Sequence, residues 1–387
     1  MRVLFVAPWI PSPVRPRSLG VLRTLAESHD VWLVAAWDGR EDLEHLDHLG
    51  LAGISIVRRH PVRGALRAMR ALLAGSSLQV ALLDEPDVAS TISQLVRDWQ
   101  PDVAHYNVIR SAGSLPAVGR IPVIFDFDEV RSDYYKTVGE HSSSLRWRVL
   151  GRLEHSRLAR AEIDAAKTAT VALMSSPADL DRLPVPTMLV RSPHDLHEEV
   201  KPDPARHRLL FVGRMSYQAN REALDWFIKE VWPRLRSTFP GAVLDVVGES
   251  AETLPFAQTP GICLTGRVPT LDRYYAASSI AIVPVAIGTG VQMKLIQALS
   301  MGVPAITFSQ CAVRAGAPSA AVATADTPEE WHHQIESLLT DTERFSAQRD
   351  AGLSWATDHY SNAAINRSVS HAYTRTFELV HDLRGEH

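Results

Sequence analysis

The sequence predicts an α/β protein made of two doubly wound parallel sheets facing a cleft. Three observations carry that expectation. Short runs of β-branched and aliphatic residues alternate with helical periodicity along nearly the whole chain, the pattern of parallel sheets covered on both faces. The alternation breaks at residues 197–207, HEEVKPDPARH, a polar, proline-bearing stretch that reads as a linker. Residues 280–308, IAIVPVAIGTGVQMKLIQALSMGVPAITF, read as a strand, a glycine turn, a helix and a second strand. At 387 residues the chain is long enough for two domains, each with its own core.

In the first half, strands are expected at 3–7, 31–36, 54–57, 103–105, 123–127 and 170–174. Helical patterns lie between them, for example at 66–73 and 88–99. Residues 145–167 are helical and rich in arginine, with Glu154, Glu162 and Asp164 interleaved, which reads as a solvated face. After the linker, strands are expected at 209–212, 243–247, 262–264, 280–285, 305–308 and 321–323. Ala223, Leu224, Phe227, Ile228, Val231 and Leu235 share one face of the helix after the first of these. A last helix, near 363–383, has no strand after it. Domains are therefore expected at 1–200 and 201–362.

Composition excludes some functions. Hydrophobic residues make up 45% and charged residues 22%, with a formal net charge of −4. Bulk charge therefore gives no support for nucleic-acid binding. The two cysteines, Cys263 and Cys311, lack metal-ligand spacing and read as buried free thiols in a reducing cytoplasm. No metal site is expected. The opening MRVLFVAP is too short for a signal segment, and no apolar run approaches the roughly 18 residues of a membrane helix; peripheral membrane contact stays open. A nucleophile elbow, a Walker loop and a dinucleotide G-x-G-x-x-G after the first strand are all absent.

The glycine turn Gly288-Thr289-Gly290 would put backbone N–H groups and the positive end of a helix at a sheet edge, which suits a phosphate. Val291, Leu295, Ala298 and Leu299 form the buried stripe of that helix, expected over 291–301. Gly290, Lys294 and Gln297 form a second stripe: a close-approach backbone, a cation and an amide. Two readings remain at this point, a diphosphate site or a glycine-capped helix with Lys294 in solvent. Gly213 and Arg214 end the first strand of the second half, where a forked cation matches phosphate oxygens. Asn220 reads as a helix cap.

Taken in order, FVGRMSYQANREALDWF, VLDVVGES, GICLTGRVPTLDRYYAASSIAIVPVAIGTGVQMK and ALSMGVPAITF resemble the retaining GT-B glycosyltransferases grouped as family 4. RVLFVAPWIPSP, PDVAHYN and PVIFDFDEV agree more loosely. The resemblance implies two Rossmann-like domains, with residues 363–387 returning to the first. The second would bind a nucleoside-diphosphate-sugar donor and the first an acceptor, with no other cofactor. Gly213, Arg214, Gly288, Thr289, Gly290, Val291 and Lys294 would hold the diphosphate. Arg267 and Val268 would line the base, and Gln297 would meet the ribose. Arg214 and Lys294 would also serve catalysis.

The chain departs from that pattern. Thr289 and Gln297 stand where two glutamates are common, and Ala219 and Asn220 where a lysine is often found. Asp126, Asp128 and Glu129 fall where a cleft histidine is common. Asp126 or Asp128 would orient acceptor hydroxyls or act as a base; the other reading is one solvated and one helix-capping carboxylate. His105 is a further strand-end candidate, though a lone histidine there is more often structural. Arg15 and Arg17 would meet an anionic acceptor or be solvated. The rival functions are a catalytically silent relative acting as a nucleotide-binding or partner subunit, and a nucleotide-sugar epimerase. The acceptor class, whether small metabolite, glycan or lipid-linked sugar, stays open. Alanine and arginine richness points to a bacterial gene.

Overall fold

The computed structural model describes residues 1–39, 43–142, 144–193, 198–286, 288 and 290–385. The chain divides into two compact units, Met1–Pro193 with Asn362–His387, and His194–Ser361. Each is built on a wholly parallel sheet.

Unit 1 carries β1 (Arg2–Ala7), β2 (Asp30–Trp37), β3 (Gly53–Arg58), β4 (Val103–Asn107), β5 (Val123–Asp128), β6 (Val171–Met174) and β7 (Thr187–Leu189). Their spatial order is β3-β2-β1-β4-β5-β6-β7. Central strands are buried on both faces: Val3, Leu4, Phe5 and Ile124 have no exposed surface, which explains their unbroken apolar runs. The helix Asn362–Gly385 closes one face, where Ile365, Val369, Ala372 and Tyr373 join the cluster of Val3, Phe5 and Val31.

Unit 2 carries β8 (Arg208–Val212), β9 (Val243–Val247), β10 (Ile262–Thr265), β11 (Ile280–Val283), β12 (Ala305–Thr307) and β13 (Ala323–Thr324), in the order β10-β9-β8-β11-β12-β13. The six apolar residues assigned to one face of the helix after β8 are all buried. Both sheets reverse their winding beside their first strand, between β1 and β4 and between β8 and β11. Connections leave on opposite sides there, so a crevice opens at the carboxyl ends of these strands.

Three local expectations need correction. Cys263 is exposed, because it lies on the edge strand β10; Cys311 is buried, its thiol on the Val285 carbonyl at 3.1 Å. Glu154 and Glu162 are buried, not solvated. Glu154 accepts from Ser77 Oγ at 2.5 Å and from the Leu78 and Gln79 N–H groups. Glu162 accepts from Ser132 N at 3.1 Å and Oγ at 2.6 Å. Each caps the first turn of a neighbouring helix, Leu78–Leu83 or Arg131–His141, where orphan N–H groups favour a carboxylate. Finally, β7 has only three residues and its run was too short to read as a strand.

Candidate functional site

At the carboxyl edge of unit 2 the chain is drawn in tightly after β8 and β9. A Cβ on Gly248 would lie 2.0 Å from the Gly213 carbonyl oxygen, and Gly248 has φ of +145°, so this approach requires glycine. Gly213 N–H donates to the Val247 carbonyl at 2.9 Å. Asn220 is not a cap. It sits inside the helix Gln218–Trp226, is buried, and donates from Nδ2 to the Arg214 carbonyl at 2.9 Å. Its Oδ1 accepts from Lys294 Nζ at 2.7 Å. One amide thereby ties the turn after β8 to the helix after β11.

Lys294 lies one residue into the helix Met293–Ser300. Its amine is drawn inward, 5.5 Å from the centre of the Phe211 ring, so the reading that left it in solvent is wrong. Burial pushes its pKa down to about 8, because losing water disfavours the charged form. Among the described residues no carboxylate pairs with it; its hydrogen-bond partner is the neutral Asn220. Gln297, on the same stripe, accepts weakly from the buried Tyr275 hydroxyl at 3.4 Å. The side chains of Arg214 and Arg267 are exposed, while Val268 packs against the core. Gly288, Gly290 and Val291 lead into the helix; Thr289 lies outside the described residues.

The carboxyl edge of unit 1 is organised differently. Arg17 is 5% exposed and Asp126 fully buried. Arg17 Nη2 meets Asp126 Oδ1 at 2.6 Å, its Nε lies 3.0 Å from both carboxylate oxygens, and its Nη1 donates to the Val190 carbonyl at 2.6 Å. The solvated readings of Arg17 and of Asp126 are therefore overturned: the two form an internal pair, with Asp128 Oδ1 3.4 Å from Arg17 Nε, that ties the start of the helix Pro16–Ala26 to the end of β5 and to the segment after β7. Arg15 is not simply solvated either. It lies over the Trp9 ring at 5.0 Å and donates to the Ile10 carbonyl at 3.1 Å.

His105 is fully buried and stacks on Phe5 at 4.8 Å, with Nδ1 3.0 Å from the Tyr373 hydroxyl. Burial pushes its pKa down to about 4, so it is a neutral core histidine. Asp128 is the half-buried acid of the set, with its side chain 34% exposed. Burial pushes its carboxyl up to about 6, opposed by the nearby Arg17. It sits at φ +66°, beside a register shift between Asp126 and Asp128.

A pocket of about 190 Å³ adjoins it, walled by Trp9, Val108, Arg110, Asp128 and Arg131 among others. Trp9, Val108, Arg110 and Arg131 were not singled out from the sequence. Only backbone geometry marks Val108, which adopts φ +56°, a strained value for a β-branched residue. Among the described residues no group of three or more His, Cys, Asp or Glu could hold a metal ion, and no helix is long and apolar enough to cross a membrane.

Residues 206–341 match the family model of glycosyl transferases group 1. The curated proteins contain no sequence match. Among solved structures, the chain is similar to Anabaena Alr3699/HepE in complex with UDP, at TM-score 0.70 and 12% identity over 97% of this chain and 100% of that one. It is similar to sucrose-phosphate synthase from Thermosynechococcus elongatus at TM-score 0.71 and 14% identity, over 98% and 100% of the two chains. A glycosyltransferase from Rickettsia africae gives TM-score 0.62 and 12% identity, over 97% and 98%. The shared fold is GT-B, two parallel-sheet α/β domains.

Proposed function

We propose that this protein is a glycosyltransferase that moves a sugar from a nucleoside-diphosphate donor on unit 2 to an acceptor hydroxyl on unit 1, with retention of anomeric configuration. The observation that carries this reading is Lys294: an inward-turned cation, at the start of a helix beside a glycine turn, with no carboxylate partner among the described residues. A diphosphate would supply the missing negative charge. The group 1 match across the same segment supports it.

The chemistry needs charge stabilisation more than covalent help. The acceptor oxygen bonds to the anomeric carbon while that carbon's bond to the diphosphate oxygen breaks. The electron pair leaves on the diphosphate, and the hydroxyl proton ends on a diphosphate oxygen. Under this proposal Lys294, the exposed Arg214 guanidinium and the helix N-terminal amides would bind that developing charge. In this reading no metal is required. HepE has been solved with UDP and with UDP-glucose, so uridine diphosphate is the first nucleotide to test.

The test is calorimetry of UDP binding with and without a chelator, followed by product analysis with UDP-sugars. Binding that weakens about tenfold or more in Lys294→Met and in Arg214→Ala is expected from the strength of charge-assisted bonds. Binding that is absent, or unchanged in both variants, overturns the donor site. A nucleotide-binding subunit without turnover is the second reading. It draws support from Gln297, a neutral amide where such enzymes commonly hold an acid, and it would bind UDP yet release no product with any acceptor.

A further inference from the structure

The pocket beside Asp128 holds more donor chemistry than its own residues use. Trp9 Nε1 and Arg131 Nε are buried nitrogens with no hydrogen-bond partner among the described residues, and both side chains line this pocket. Orphan donors of this kind are rare and costly unless something fills them. Arg110 stacks on the Trp9 ring at 5.4 Å and gives Nε and Nη2 to one neutral acceptor, Gln79 Oε1, at 2.9 and 2.6 Å. No carboxylate lies within ion-pair distance of it among the described residues, but the Tyr135 hydroxyl is a second partner and Glu129, in the same pocket wall, acts on it from further off. Arg131, by contrast, is ion-paired with Glu129.

The backbone here is shaped at a cost. Val108 and Asp128 both adopt positive φ, +56° and +66°, at the adjoining ends of β4 and β5, and both line the pocket. Asp128 also stands at an irregularity in the β5 register. Such strain and such bulges gather at functional sites. The pocket lies at the carboxyl ends of β1, β4 and β5, beside the reversal of strand order, where ligands of doubly wound sheets bind.

We propose that this pocket takes the acceptor, and that the acceptor is an anionic hydroxy compound. Its carboxylate or phosphate oxygens are held by Arg110, Trp9 Nε1 and Arg131 Nε, while Asp128 accepts the hydrogen bond of its hydroxyl. Arg110 and Arg131 share one carboxylate, Glu129, which also lines the pocket, so a neutral polyol would leave the two guanidiniums one counter-charge short. The word acceptor rests on the glycosyltransferase reading; the anion selectivity does not.

The full chain, labelled with nitrogen-15 at its indoles, tests this by magnetic resonance. Trp9→Phe assigns the Trp9 signal. D-glycerate, glycerol 3-phosphate and neutral glycerol are then titrated. The expected result is a saturable shift of the Trp9 indole with one or both anions and not with glycerol, with affinity at least tenfold weaker in Arg110→Gln while UDP binding is unchanged. The stronger anion tells carboxylate from phosphate. Equal response to glycerol, no response to either anion, or an unaltered response in Arg110→Gln overturns the proposal. UDP titration separates the two levels: UDP binding with a silent Trp9 signal removes this proposal alone, whereas absent UDP binding removes the glycosyltransferase reading.

Discussion

The carboxyl edges of the two sheets share a strand order and treat charge in opposite ways. In unit 1, Arg17 is closed against Asp126 deep in the fold, so the strongest charges at that edge neutralise one another. In unit 2, Lys294 is turned inward with only an amide for company. A buried ion pair holds shape; a partly buried cation with no counter-ion among the described residues has charge left for one. The comparison separates architecture from recognition within one fold, and it assigns the sequence motifs accordingly. Arg17, Asp126, Glu154 and Glu162 of the first half are scaffolding, whereas Lys294 of the second half is the group that the proposed donor would complete.

The largest effect that could break this contrast is expected from Arg17→Met. It leaves Asp126 charged, buried and unpaired, and should cost about 3–5 kcal/mol, read as a lowered denaturant midpoint. A loss below about 1 kcal/mol would mean that the pair is not the structural element described here. The companion Lys294→Met removes a desolvated cation but also the donor to the buried Asn220 Oδ1. The two effects oppose, so stability should change by less than about 1 kcal/mol at neutral pH, while UDP binding weakens by about 1.5–3 kcal/mol. A Lys294→Met destabilised by more than that would place lysine on the structural side of the comparison.

The protonation of Lys294 gives a finer test. Its folded pKa is near 8, against 10.5 for the ordinary side chain. Between those values the unfolded chain holds the proton and the folded chain does not, so this group makes stability rise with pH across that window. Below about pH 8 both states are protonated and the full burial penalty is present. A bound diphosphate favours the charged form. UDP binding near pH 8.5 should therefore take up protons, seen as a dependence of the binding heat on buffer ionisation, and Lys294→Met should lose it.

The smallest effect belongs to Asp128. Its folded pKa near 6 exceeds the ordinary 3.8. Between those values the folded chain holds the proton and the unfolded chain has lost it, so this group makes stability fall as pH rises from about 4 to 6. Asp128→Asn should flatten that part of the denaturant-midpoint profile. An unchanged slope would mean the carboxyl is better solvated than its surroundings imply.

Much of this was legible in the sequence, for physical reasons. Parallel strands buried on both faces leave continuous apolar runs, so β1, β2, β8 and β9 could be read directly. The turn at Gly288 and the spacing to Lys294 follow from local geometry. Long-range pairing could not be read. Arg17 and Asp126 are 109 positions apart, and no local pattern links them. Asn220 looked like a cap because its type suits one; its actual partners, Arg214 and Lys294, are brought to it by tertiary structure. The positive φ of Val108 has no sequence signal, since valine is among the last residues expected there. The pocket that it helps wall was hidden with it.

The last helix has a consequence for how the protein is made. Unit 1 is left open after Pro193 and completed only by Asn362–Gly385; Tyr373 reaches His105 across 268 positions. A ribosome therefore delivers every strand of unit 1 first and all of unit 2 next, and only then the helix that covers Phe5 and Val31. Domains fold as units when their residues are in hand. The half of the molecule that is synthesised first is thus the half that finishes last, and a nascent chain stalled near Ser361 would carry a finished unit 2 beside an exposed apolar sheet, a natural target for a holding chaperone.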